Sequence, residues 1–165
     1  DMSMPSANGS TGNFPSFEGK DFDGNKIKSD ELFSGNAVTV VNFWFTTCSP
    51  CVGELSELDA LNKELSEKGG SIIGINSFTL DGDEAAISEA KAVLKRKGAS
   101  YRNIYFDSDS EAGKFVENVY AYPTTYVVDR SGSIVGEPIV GAVTGKSQME
   151  KLKLLIDQCI AADMR

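Results

Sequence analysis

The sequence predicts an α/β fold, a layer with parallel strand pairs flanked by helices and closed by an antiparallel hairpin. Three observations carry that expectation. Two runs rich in β-branched residues, 38–45 and 71–76, have the continuous apolar character of strands covered on both faces. Segments of helical period alternate with strand-like segments. A length of 165 residues with 41% hydrophobic content suits one domain with a sizeable core.

In chain order, residues 1–16 are mostly Ser, Gly, Asn, Pro and Thr and read as a flexible tether, placing the domain at 17–165. Residues 17–28 alternate around Asp23-Gly24-Asn25, a hairpin signal. Ser29 can cap a helical turn reaching Phe33. The strand at 38–45 leads through two cysteines into a helix expected to run to about Lys68, where Gly69-Gly70 stops it. After the strand at 71–76, Asp81-Gly82-Asp83 opens a helix to Lys97 whose inner face is Ala86, Ala90, Val93 and Leu94, and Gly98 ends it. Residues 101–106 form a further strand. Residues 107–111 resemble a calcium loop but have Ala112 where its glycine belongs, so they read as a loop and N-cap before a helix to Val119. Residues 126–129 and 133–135 form a hairpin around Arg130-Ser131-Gly132, and 140–143 a short connection. In the last helix, from Thr144, Leu152, Leu155, Ile156 and Cys159 share one face, so Cys159 reads as a small buried hydrophobe.

The chemistry concentrates at Cys48-Ser49-Pro50-Cys51. Cysteines at i and i+3 in a helical first turn are neighbours on one face and can close a disulfide with little chain movement. Cys48 sits at the helix N-terminus, where unpaired N–H groups favour a thiolate and lower its pKa below the ~8.5 of a free cysteine. Pro50 suits this turn because its missing N–H would be unpaired there anyway. Cys48 is therefore expected to attack and Cys51 to resolve. A zinc site is the competing use of such a pair, but three cysteines and no histidine supply no Cys/His set of four. Glu54 projects onto the face of Leu58, Leu61 and Leu65. A carboxylate buried there would have a raised pKa and could exchange a proton with Cys51; turned outward, it would be an ordinary first-turn acid.

Sixteen basic and 24 acidic residues give a net charge of −8, which argues against nucleic acid as a partner. The absence of histidine excludes imidazole bases. No apolar run is long enough to span a bilayer, and a chain opening with Asp1 reads as a trimmed form from which an export signal can have been removed.

These residues resemble the thioredoxin superfamily and, more narrowly, the TlpA/ResA-type thiol-disulfide oxidoreductases of bacterial cell envelopes. The resemblance covers about residues 14–160. It rests on Val41-Asn42-Phe43-Trp44, on the cysteine pair with Glu54 three residues beyond, on Tyr122-Pro123-Thr124-Thr125 before a hairpin, and on the long passage from Ile75 to Pro123. It implies a thioredoxin-like fold: a central mixed β-sheet flanked by helices, with an N-terminal β-hairpin and a central αβ insertion. It also implies Cys48, Cys51 and Glu54 as catalytic residues and Pro123 as a cis-proline facing a redox disulfide. Trp44, Thr47, Tyr122, Pro123 and Thr124 become the expected substrate-binding residues. The chain departs from the family at Thr47, where Trp is usual, at Leu55-Ser56, and in the bulk of Tyr122.

The expected function is an extracytoplasmic thiol-disulfide oxidoreductase, reducing more readily than oxidising and possessing no cofactor or metal. The resemblance implies a disulfide-containing client such as apocytochrome c or methionine sulfoxide reductase. It also implies a membrane thiol carrier as electron donor, a monomeric state, and a cell-envelope location with a membrane anchor on a removed N-terminal segment. A thiol peroxidase on this fold would need Pro-x-x-x-Thr-x-x-Cys, where this chain has Val41 and Phe45. A copper-delivery module would use C-x-x-x-C plus His, and a non-catalytic scaffold would not need Cys48.

Overall fold

In the computed structural model, which describes residues 10–164, the sheet is built around β4 (Val38–Trp44), buried at all of its positions. β4 runs parallel to β5 (Gly70–Asn76), and β5 to β6 (Arg102–Tyr105). On its other side β4 pairs antiparallel with β7 (Thr124–Asp129), which pairs with β8 (Ser133–Val135) and β9 (Ile139–Val140). The N-terminal hairpin, β2 (Glu18–Asp21) and β3 (Lys26–Lys28), adds to β6, and β1 (Ser10–Asn13) adds to β8. Among the described residues this gives the order β1-β8-β7-β4-β5-β6-β2-β3, a mixed sheet. The hairpin turn follows from Gly24 at φ +87° and from Asp21, whose Oδ1 accepts the N–H groups of Asp23 and Asn25 at 2.9 Å each.

The helices cover both faces. α3 (Leu55–Ser66), α4 (Glu84–Arg96) and α6 (Lys146–Asp163) pack Leu58, Leu61, Leu65, Val93, Leu152 and Ile156 with Val38, Val40 and Trp44. α1 (Ser29–Ser34) and α5 (Glu111–Glu117) cover the opposite face, where Phe33 and Val116 meet Val41, Phe43 and Ile75. Asp83 caps α4 and Ser110 caps α5 through side-chain oxygens, so residues 107–111 are the loop and cap that their sequence suggests. Cys159 is buried and donates from Sγ to the Ala37 carbonyl at 3.4 Å; burial pushes its thiol up to about 12.

Two expectations change. Residues 1–9 of the expected tether lie outside the described residues, but 10–16 belong to the fold. Phe14, an aromatic among polar neighbours, is buried against Phe17, Phe33 and Phe43, and it docks the segment together with the β1–β8 pairing and its own N–H to the Gly132 carbonyl at 2.9 Å. The helix expected to run unbroken from the cysteines divides at Glu54 into α2 (Ser49–Gly53) and α3.

A candidate redox-active disulfide site

β4, β5 and β6 all end at one edge of the sheet, and β7 begins there, so the connecting loops gather at that edge. Cys48 is the N-cap residue of α2, held by its N–H to the Phe45 carbonyl (3.2 Å) and accepting the Cys51 N–H on Sγ (3.3 Å). Cys48 and Cys51 form a disulfide with Cα atoms 5.2 Å apart. Cys48 is 6% exposed and Cys51 is fully buried, so only the first sulfur offers a path to a partner. The Sγ–N–H contact and the helix start stabilise negative charge on Cys48 once the bond is reduced.

Glu54 is fully buried. Its backbone sits at φ −99°, ψ −4°, and its N–H reaches the Cys51 carbonyl at 3.3 Å. The kink between α2 and α3 falls where its carboxylate meets two donors. Oε2 accepts the Asn42 amide at 2.9 Å and Oε1 accepts the Val143 N–H at 2.9 Å. Burial pushes the carboxyl up to about 7, against the opposing pull of these two hydrogen bonds. Asn42 also donates to Thr125 Oγ1 at 3.1 Å, tying the carboxylate to β7. Tyr101 Oη is buried without a hydrogen bond to the described residues, and burial together with the charges of Glu54 and Asp59 raises its pKa.

The Tyr122–Pro123 peptide is cis, and Pro123 is buried where its carbonyl accepts the Gly141 N–H at 2.8 Å. The Tyr122 ring lies edge-on to Phe45 at 5.3 Å. Thr47 is exposed beside Cys48. Two expected client contacts are corrected. Trp44 is fully buried, its Nε1 donating to Asn103 Oδ1 at 2.8 Å; it anchors β4 to β6 and presents no surface to a client. A Cβ at Gly74 would collide with that Asn103 amide, so glycine there keeps room for the anchor. Thr124 is 4% exposed and its hydroxyl donates to the Ala121 carbonyl at 2.7 Å, closing the proline turn.

From the sequence Asn42 and Thr125 carry only the resemblance and have no role in the site, and Val143 stands merely in a short connection. Asn42 carried a legible signal, an amide inside the otherwise apolar run Val40-Val41-Asn42-Phe43-Trp44. Val143 acts through its backbone and carried none. Among the described residues no group of three Cys, Asp, Glu or His side chains could hold a metal ion.

A nearly enclosed cysteine pair at a helix start, on a mixed sheet with helices on both faces, defines the thioredoxin-fold thiol-disulfide oxidoreductases. Residues 11–136 match the AhpC/TSA family, and the chain belongs to it. It is 32% identical over 136 residues to the thiol-disulfide oxidoreductase ResA of Bacillus anthracis, covering 82% of this chain and 72% of that protein. It is 29% identical over 134 residues to the thiol:disulfide interchange protein DsbE of Allochromatium vinosum, covering 81% and 67%. A solved thiol:disulfide interchange protein of the thioredoxin family from Chlorobium tepidum TLS superposes with a TM-score of 0.67 at 22% identity over 97% of this chain and 99% of that one. The chain is a thiol-disulfide oxidoreductase.

Proposed function

We propose that this oxidoreductase reduces client disulfides outside the cytoplasm, with Cys48 attacking, Cys51 resolving and Glu54 handling the resolving proton. In the reduced enzyme the Cys48 thiolate attacks one client sulfur. The client S–S bond breaks, a client thiolate leaves, and a Cys48–client mixed disulfide forms. The Cys51 thiol passes its proton to Glu54 and attacks Cys48 Sγ, which frees the second client thiolate and leaves the Cys48–Cys51 disulfide. Two electrons have then moved to the client, and a donor dithiol must return them. Thr47 and Tyr122 meet the client, and the cis bond before the buried Pro123 sets the backbone of Tyr122 against it.

The observation that carries this reading is the buried carboxylate of Glu54 directly after the turn that holds the buried Cys51. A resolving thiol buried out of reach of bulk solvent needs a proton acceptor whose pKa lies near the working pH, and about 7 meets that need. The resemblance to TlpA/ResA-type proteins supports the envelope location, a membrane thiol carrier as donor, clients such as apocytochrome c or methionine sulfoxide reductase, and a monomeric enzyme. No helix of the described residues is long and apolar enough to cross a membrane.

The test is the reduction potential of the Cys48–Cys51 pair, measured by equilibration with thiol buffers. A value near the reducing end of the thioredoxin-fold range, about −270 mV, supports the reductant. A value near the oxidising end, about −120 mV, reverses the direction of electron flow.

A further inference from the structure

Beside the disulfide the chain holds an aromatic edge that the thiol chemistry does not use. The Phe45 ring lies 5.1 Å from that of Phe78 and 5.3 Å from that of Tyr122. Phe78 is 51% exposed, yet the backbone that carries it is held in place. Its N–H donates to Asn76 Oδ1 at 2.8 Å, the Ser77 N–H to the Trp44 carbonyl at 3.0 Å, and Asn76 Nδ2 to Thr46 Oγ1 at 3.1 Å. An exposed ring that rests on a partly buried aromatic base from a hydrogen-bonded backbone, close to the one reachable sulfur, is a preformed contact rather than a stray apolar residue. It is continuous with the surface that a client must cover to bring its disulfide to Cys48.

The charge around this edge is one-sided. The loops at the sheet edge that holds the cysteines, 45–48, 77–83, 106–110, 117–123 and 141–145, contain no Lys or Arg. They carry Asp81, Asp83, Asp107, Asp109 and Glu117, all exposed. We propose that Phe78, on its base of Phe45 and Tyr122, docks a client segment with an apolar residue next to its cysteine and with basic flanks. This rests on Cys48 being the client-facing sulfur.

Two synthetic peptides, each closed by one disulfide, test it: one with Leu beside the cysteine and Lys flanks, the other with Ser and Glu. Each rate of reduction by the dithiol enzyme is divided by the rate for hydroxyethyl disulfide, which is too small to span the edge. We expect the Leu/Lys peptide to be favoured about tenfold or more, an advantage reduced by 0.5 M salt. Phe78→Ala lowers the Leu/Lys ratio about fivefold, Phe78→Leu restores most of it, and Leu154→Ala, at an exposed apolar position on α6, leaves it unchanged. Equal ratios for the two peptides, or a Phe78→Ala ratio equal to wild type, would overturn the proposal. So would sedimentation as a dimer that Phe78→Ala dissociates, since the edge would then be a contact between copies. If the enzyme reduces none of the disulfides, the reductant reading fails separately. The same ratio, taken with oxidised enzyme and the dithiol peptides against mercaptoethanol, then reads the docking edge alone.

Discussion

The two faces of the central sheet are built from alternate residues of the same strand and do different work. Val41 and Phe43 point to one face, where Phe14, Phe17, Phe33, Phe106, Phe115 and Tyr126 gather with ring centroids between 5.1 and 6.3 Å apart. Val40 and Trp44 point to the other, and Asn42 between them reaches Glu54 there. The aromatic face offers large apolar area at low entropic cost and fixes the sheet. The opposite face gives up part of that gain to keep a carboxyl, an amide and a phenol buried beside the cysteines. The difference shows how one strand can be both scaffold and support for a site: alternation lets the second role be added without loosening the first.

Four experiments break or sharpen this contrast. Cys48→Ser should abolish exchange, by at least about a thousandfold, while leaving thermal unfolding close to that of the reduced wild-type protein; Cys51→Ser should still attack and should accumulate a client adduct visible by mass spectrometry. Adduct on the Cys48→Ser protein instead would reverse the two roles. Phe43→Ala, on the scaffold face, should cost about 3–5 kcal/mol in urea unfolding. A loss below about 1.5 kcal/mol would mean that the aromatic face is not what fixes the sheet.

Glu54→Gln, on the site face, should slow exchange about 10–100-fold and remove the inflection near pH 7 from its pH profile. The same variant reports on stability. Glu54 ionises above its ordinary 4.5 in the unfolded chain but only above about 7 in the fold. Its favourable contribution is therefore whole below pH 4.5 and is lost as pH rises to about 7. That is about 3 kcal/mol of pH-dependent stability, which should be absent from the unfolding curves of Glu54→Gln. A wild-type protein equally stable at pH 5 and pH 8 would contradict the raised pKa. The smallest effect belongs to Asn42→Leu. Losing one donor to the carboxylate should move the rate inflection to higher pH and slow exchange a few-fold at neutrality, whereas a change in rate with no shift of the inflection would make Asn42 purely structural.

Most of the fold could be read from local signals because those signals agree with the tertiary outcome. The apolar runs at 38–45 and 71–76 became the central parallel pair, and the Asp23-Gly24-Asn25 and Arg130-Ser131-Gly132 turns became hairpins. The cysteine pair was legible from its spacing, whereas spacing left Glu54 open between an inward and an outward carboxylate, and the family resemblance favoured the inward one. What was not legible depended on long-range partners. Trp44 next to the site looked like a client contact, but its register on β4 turns it to the core, towards Asn103 fifty-nine residues away. The break at Glu54 needs Val143, eighty-nine residues on, to hold the carboxylate inward. Phe14 looked like part of a tether because its companions in the aromatic cluster are scattered from Phe17 to Tyr126.

The placement of the first strands has a consequence for how the molecule is completed. Both borders of the sheet come from the opening thirty residues: β1 lies against β8, with Ser10 opposite Val135, and the β2–β3 hairpin lies against β6, with Lys20 opposite Tyr105. Each of these segments is synthesised well before the strand it pairs with. The β2 border therefore stays unmatched for 85 further residues and the β1 border for 125, so closure of the sheet at β1 is among the later events of its folding.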